Sequence, residues 1–152
     1  MSEWHKDILE WREGDTVYLS IVFSWDLIRA ERRIRNPKFG EKRFVVGGPA
    51  VMLNPDYLEN IAEIGGGMSG MLQRHNPLAT RTSEGCIRKC GFCAVPRIEG
   101  ELVELKTWLN LPIVCDNNLL ACSRKHFDDV IDGLKEHEWC DFNQGLDARL
   151  LN

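Results

Sequence analysis

Thr16-Val-Tyr-Leu-Ser-Ile-Val-Phe-Ser-Trp25 is the stretch on which the fold turns. Val17, Tyr18, Ile21, Val22 and Phe23 are β-branched or aromatic, and Gly14-Asp15 and Asp26 bound the run, so it predicts a strand. Leu27, Ala30 and Ile34 then recur at helical spacing until Asn36-Pro37, where proline's closed ring and missing N–H stop a helix. Arg43 to Val46 is a second apolar run, read as a buried strand, and Gly47-Gly48-Pro49 closes it. Strand, helix and strand in that order form a crossover unit whose two strands lie parallel in one sheet. The expected fold class is therefore α/β.

Outward from this unit, Trp4 and Trp11 stand seven residues apart, a spacing that predicts a short amphipathic helix within Met1 to Asp15. Downstream, Tyr57 to Ile64 is read as a second helix with Asn54 as its cap and Pro55 at its first position. Gly65-Gly-Gly67-Met-Ser-Gly70 matches the G-x-G-x-x-G pattern of dinucleotide-binding turns. That pattern needs a strand before it and a helix after it; here the expected neighbours are a helix and Arg74-His75-Asn76-Pro77, so the stretch is read as a connector. The chain accordingly divides into a Rossmann-like α/β region over residues 1–70 and a second region over 78–152.

The second region opens on a short strand, Leu78 to Thr82, that leads through Gly85 into Cys86-Ile-Arg-Lys-Cys90-Gly-Phe-Cys93. Leu102 to Leu109 fits a helix or an extended segment equally. Pro112 to Cys115 predicts a buried strand with Asp116-Asn117-Asn118 at its polar end. Ser123 can cap a helix in which Phe127, Val130, Ile131 and Leu134 follow the i, i+3, i+4, i+7 pattern. Trp139 to Asn143 reads as the next strand, ending in Gln144-Gly145-Leu146-Asp147. In repeated strand–helix units, ligands gather at the carboxyl ends of the strands. Cys115, Cys122 and Cys140 are read as small buried hydrophobes, and His126 as a surface residue of its helix.

Three thiols spaced three and two residues apart can ligate three irons of a four-iron cluster and leave the fourth unclaimed. Structural zinc is the competing assignment, and its fourth ligand would come from His75, Cys115, Cys122 or Cys140. The opening residues show no signal-peptide pattern, so a cytoplasmic location is expected, where a disulfide between two of the thiols is disfavoured.

The C-x3-C-x2-C loop, with Phe92 just before its third cysteine, resembles that of the radical S-adenosylmethionine enzymes. The resemblance covers roughly the second half of the chain and implies the opening units of a partial (β/α) barrel. It further implies that Cys86, Cys90 and Cys93 hold a four-iron four-sulfur (4Fe-4S) cluster. S-adenosylmethionine would chelate the open iron and yield a 5′-deoxyadenosyl radical that takes hydrogen from a substrate, with a flavodoxin or ferredoxin as reductant. By the same resemblance Phe92 would shape the adenine pocket, Asp116, Asn117 and Asn118 would meet the methionine amino group, and Gln144 and Asp147, with Arg149, would face cofactor or substrate. Gly47-Gly48-Pro49 is similar to a corner of cobalamin-binding-like domains, but the D-x-H-x-x-G cobalt signature is absent. Ala94-Val-Pro96 resembles the exit of the cluster loop in tRNA methylthiotransferases, which use three further cysteines; no cysteine precedes Cys86 here. Such a core takes about six strand–helix units of roughly thirty residues each, so the chain is expected to be the front of an enzyme, with self-association or a missing C-terminal partner.

Composition sets outer bounds. With 43% hydrophobic and 28% charged residues, the chain can build a core and is not of the disordered type. Its longest apolar run, Val17 to Trp25, is too short to cross a bilayer. A net charge of −4 argues against a surface built throughout for nucleic acid. The basic stretch from Arg29 to Arg43 is read as a solvated helix face rather than a phosphate contact.

Overall fold

The computed structural model describes residues 4–65, 68 and 70–151. Within it the chain forms two compact units, Met1–Asn76 and Pro77–Asn152, and both mix helices with sheet.

In the first unit β1 (Leu9–Glu13) and β2 (Thr16–Ser20) form an antiparallel hairpin. A 3-10 turn over Ser24–Asp26 leads into α1 (Leu27–Arg35), and the chain returns as β3 (Arg43–Gly47), parallel to β2 with Val17 opposite Phe44 and Leu19 opposite Val46. Next come α2 (Pro49–Leu53), a 3-10 turn over Pro55–Tyr57, and β4 (Glu63–Ile64), which runs parallel to β3. A one-turn helix, α3 (Met71–His75), follows. The sheet order β1-β2-β3-β4 keeps the sequence order. Val17, Leu19 and Val46 pack with Leu27, Ala30 and Ile34 of α1 in one core. The α1 spacing read from the sequence is thus the face the helix buries.

Three expectations change here. The lead-in is a strand, not a helix: Trp11 lies opposite Tyr18 in the hairpin and stacks on it with ring centroids 5.1 Å apart, so a cross-strand aromatic pair outweighs the seven-residue spacing. The strand from Thr16 ends at Ser20, and beyond it exposed Phe23 and Trp25 stack on each other. The helix expected over Tyr57 to Ile64 is a single 3-10 turn, because Glu63 and Ile64 pair with Val45 and Val46 instead. The Asn54 amide does not cap that turn but donates back to the Ala50 carbonyl.

Gly65 therefore follows a strand and Gly70 opens a helix, the reverse of the context read from the sequence. Residues 66, 67 and 69 of that stretch lie outside the described residues. At the β3 end Gly48 has φ +96°, and a Cβ there would stand 2.6 Å from the Ile21 carbonyl oxygen, so only glycine lets the two strand ends approach. The basic stretch is met by acids: Arg33 bridges Glu10 and Glu41, Arg29 pairs with Asp7 and Asp26, Arg35 with Glu31, and Arg43 with Glu63.

The second unit has two small sheets. β5 (Ala79–Thr80) leads to β6 (Ser83–Glu84), then through the cysteine loop to α4 (Val95–Ile98) and to β7 (Val103–Glu104), which is antiparallel to β6. β8 (Ile113–Val114), α5 (Arg124–Leu134) and β9 (Asp141–Phe142) complete the unit. β5, β8 and β9 lie side by side and parallel, in the order β5-β8-β9. The Ser123 hydroxyl accepts from the His126 N–H, the cap expected from the sequence, and satisfies a donor that the first helical turn leaves open. Val130 and Leu134 bury one face of α5 against Val114 and Leu119. Leu102 to Leu109, ambiguous in the sequence, is extended at Val103–Glu104 through its pairing with β6.

Candidate metal centre

Gly85 turns the chain into the cysteine loop with φ +72°, and a Cβ on it would fall 2.1 Å from the Glu101 carbonyl oxygen. The Cys86 N–H donates to the Gly100 carbonyl at 3.3 Å, so the entry and exit of the loop are in contact. Glu99 reinforces that closure. Its carboxylate accepts from the Gly85 N–H at 3.0 Å, from Asn117 Nδ2 at 2.5 Å and from Arg81 Nη1 at 2.9 Å. One side chain thus joins the loop base to the end of β8.

Cys86 Sγ accepts from the Arg88 N–H at 3.3 Å and from Asn118 Nδ2 at 3.6 Å. Arg88 Nε donates to Asp147 Oδ2 at 3.1 Å, and Asp147 is gripped from the other side by Arg149, with Nε at 2.6 Å from Oδ1 and Nη2 at 3.0 Å from Oδ2. The loop is therefore pinned to residues that follow two parallel strands, Asn118 after β8 and Asp147 after β9. The Arg149 hydrogen bonds, aided by the one from Arg88, hold the Asp147 carboxyl at about 2 against the opposing effect of burial. Asp147 in turn raises the Arg149 guanidinium, and the neighbouring Cys90 and Cys86 add to that.

Asp116 faces the segment that precedes the loop. It is 3% exposed and accepts from the Thr82 N–H at 2.6 Å, Thr82 Oγ1 at 2.5 Å and Ser83 Oγ at 2.7 Å, so its carboxylate is occupied in holding the segment that delivers the loop. The Thr82 hydroxyl has one proton, and Asp116 takes it. His126 Nε2, 3.1 Å from the same oxygen, must then be the donor. His126 is buried, not on the surface as its sequence position suggested; Trp108 packs its ring at 4.9 Å, and Thr82 satisfies its nitrogen.

The remaining site residues separate clearly. Asn118 is buried, and its Oδ1 has no hydrogen-bond partner among the described residues. Gln144 is exposed. Phe92 is 96% exposed. Cys140 is exposed and so corrects its reading as a buried hydrophobe, whereas Cys115 is buried. Burial pushes the Cys115 thiol up to about 11 and raises that of Cys122. His75, a further candidate for a fourth ligand, is engaged within the first unit at 2.8 Å from Ser20 Oγ.

Cys86, Cys90 and Cys93 are free thiols of intermediate exposure on one loop. Among the described residues no group of three or more His, Cys, Asp or Glu side chains is drawn together to hold a metal ion. By the chemistry of its donors alone the loop suits a three-thiolate group: the thiols form no disulfide, solvent reaches them, and Cys86 receives N–H donors of the kind a ligating sulfur accepts. Sequence reading missed Glu99, Arg88, Thr82 and His126. Of these only Arg88 carried a signal, since it lies inside the cysteine motif.

No family model matches the chain, and no characterised protein or solved structure shows significant similarity to it.

Proposed function

We propose that this chain carries the cluster-binding part of a radical S-adenosylmethionine enzyme, with an N-terminal Rossmann-like unit and, in Pro77–Asn152, the first units of a partial (β/α) barrel. In this reading Cys86, Cys90 and Cys93 ligate a 4Fe-4S cluster whose open iron takes the amino and carboxylate groups of S-adenosylmethionine. The observation that carries it is the tie between the cysteine loop and the carboxyl ends of two parallel strands, Cys86 to Asn118 and Arg88 to Asp147. Ligands collect at such strand ends in parallel α/β sheets. When bound, the cluster would supply one electron for reductive cleavage of the sulfonium's carbon–sulfur bond, with methionine as the leaving group and a 5′-deoxyadenosyl radical to take hydrogen from the substrate.

The chain's own residues have separable tasks. Glu99 and Gly85 close the base of the loop, and Arg88 and Asn118 present N–H donors to the Cys86 sulfur. Asn118 Oδ1, buried and without a hydrogen-bond partner among the described residues, is an acceptor suited to the methionine ammonium. Asp116 supports the site from beneath. A flavodoxin or ferredoxin in the cytoplasm would supply the electron.

Anaerobic reconstitution with iron and sulfide tests the proposal. About four irons per chain are expected, lost in Cys90→Ala, and dithionite should then release 5′-deoxyadenosine from S-adenosylmethionine. One tightly held zinc per chain without sulfide refutes it. The engagement of Asp116 by Thr82 and Ser83 favours a second reading, a metal-binding module without catalysis, because the carboxylate expected at the ammonium is already taken. Four irons with no cleavage of S-adenosylmethionine would select that reading.

A further inference from the structure

Two guanidinium groups share one carboxylate beside the cysteine loop. Asp147, with 11% of its side chain exposed, receives Arg88 on one oxygen and Arg149 on both, and the backbone N–H of Arg149 also reaches Oδ1 at 3.3 Å. Arg88 sits between Cys86 and Cys90 in the loop, and Arg149 comes from the 3-10 turn Ala148–Leu150 that follows β9. Two cations against one anion leave a net charge of +1 in a unit tied to the cysteine loop through Arg88. Lys89, the other cation between Cys86 and Cys90, is drawn off by Glu101 at 2.9 Å.

From this arrangement we infer that Arg149, oriented by Asp147, is an electrostatic positioning residue that makes the group held by Cys86, Cys90 and Cys93 easier to reduce. The inference rests on the function proposed above. Three thiolates around a 4Fe-4S cluster in its 2+ state carry a total charge of −1, and one electron from an external reductant takes that total to −2. A cation close by favours the more negative form. Asp147 opposes it but also fixes where it sits. The two residues therefore act on the potential with opposite signs, although both belong to one hydrogen-bonded unit.

The test is a redox titration of the reconstituted full-length chain, read by absorbance and by the paramagnetic signal of the reduced cluster, at one pH and one ionic strength. Arg149→Gln is expected to make reduction about tenfold less favourable, which for one electron is about 59 mV more negative. Asp147→Asn is expected to shift it the other way, and Arg149→Lys to stay within about twofold of wild type. A purely structural role for the pair would lower cluster content in both the Gln and Asn variants and move their potentials in no opposed sense. If Arg149→Gln failed to hold a cluster, the sign of the Asp147→Asn shift would decide alone. Coincident potentials in wild type and the two charge-changing variants overturn this inference and leave the cluster reading standing. No cluster in the wild-type chain overturns both.

Discussion

Replacing Asp116 with alanine removes the acceptor for three donors at once. The hydroxyls of Thr82 and Ser83 can rotate toward other partners, but the Thr82 N–H is fixed by the backbone and buried. A buried donor left without a partner costs about 1–3 kcal/mol, and hydrogen bonds to a charged group contribute about 1.5–3 kcal/mol each. Allowing for recovery by the hydroxyls, the net loss is about 3 kcal/mol. A unit the size of Pro77–Asn152 has roughly 4–11 kcal/mol to lose. The damage should be local, since all three donors lie on Thr82 and Ser83, at the passage from β5 into β6.

Amide hydrogen exchange of the full-length chain, digested into peptides after labelling, reads this directly. The peptide spanning residues 79–86 should lose protection by about 150-fold in Asp116→Ala, while the β3 peptide over 43–47 stays unchanged. Asp116→Asn retains one acceptor but turns an amide toward hydroxyl donors, and it should fall between the two. A loss below about threefold in the 79–86 peptide, or an equal loss in β3, would refute the assignment of Asp116 as the support of the loop.

Two further outcomes follow from the geometry. Gly85→Ala should destabilise the second unit by about 2–4 kcal/mol, because its Cβ meets fixed backbone at 2.1 Å as well as a positive φ; Gly100→Ala, with φ +81° but open space around it, should cost about 1–2 kcal/mol, and equal thermal shifts for the two would contradict the contact. Burial, with a smaller contribution from His5, lowers the His75 pKa below its ordinary value of 6.5. Below pH 6.5 the unfolded chain then binds a proton that the folded unit does not, so the stability His75 contributes above 6.5 declines as pH falls toward the folded value. Denaturation midpoints of the first unit at pH 7.5 and 5.5 should separate in wild type and draw together in His75→Gln, and identical separations would count against this origin.

The parts of this protein that its sequence determines by itself are those whose partners lie within a turn or two along the chain. Leu27, Ala30 and Ile34 mark the buried face of α1, and Ser123 caps α5, because helical contacts recur at three and four residues. The apolar runs at Thr16 and Arg43 show β2 and β3, since a strand buried on both faces needs no alternation. Other features depended on which segment lies beside which. Leu9–Glu13 is a strand because Tyr18 is there to receive Trp11, and Glu63–Ile64 is a strand because the edge of β3 is open to it. The position of Asp116 after a strand does not show its donors, which come from Thr82 and Ser83, across the parallel pair β5–β8 and over thirty residues away. Glu99, Arg88 and His126 acquire their roles in the same way. A polar side chain is satisfied by whatever donor or acceptor the folded chain brings within about 3 Å, and for partners distant in sequence only the tertiary structure decides which that is.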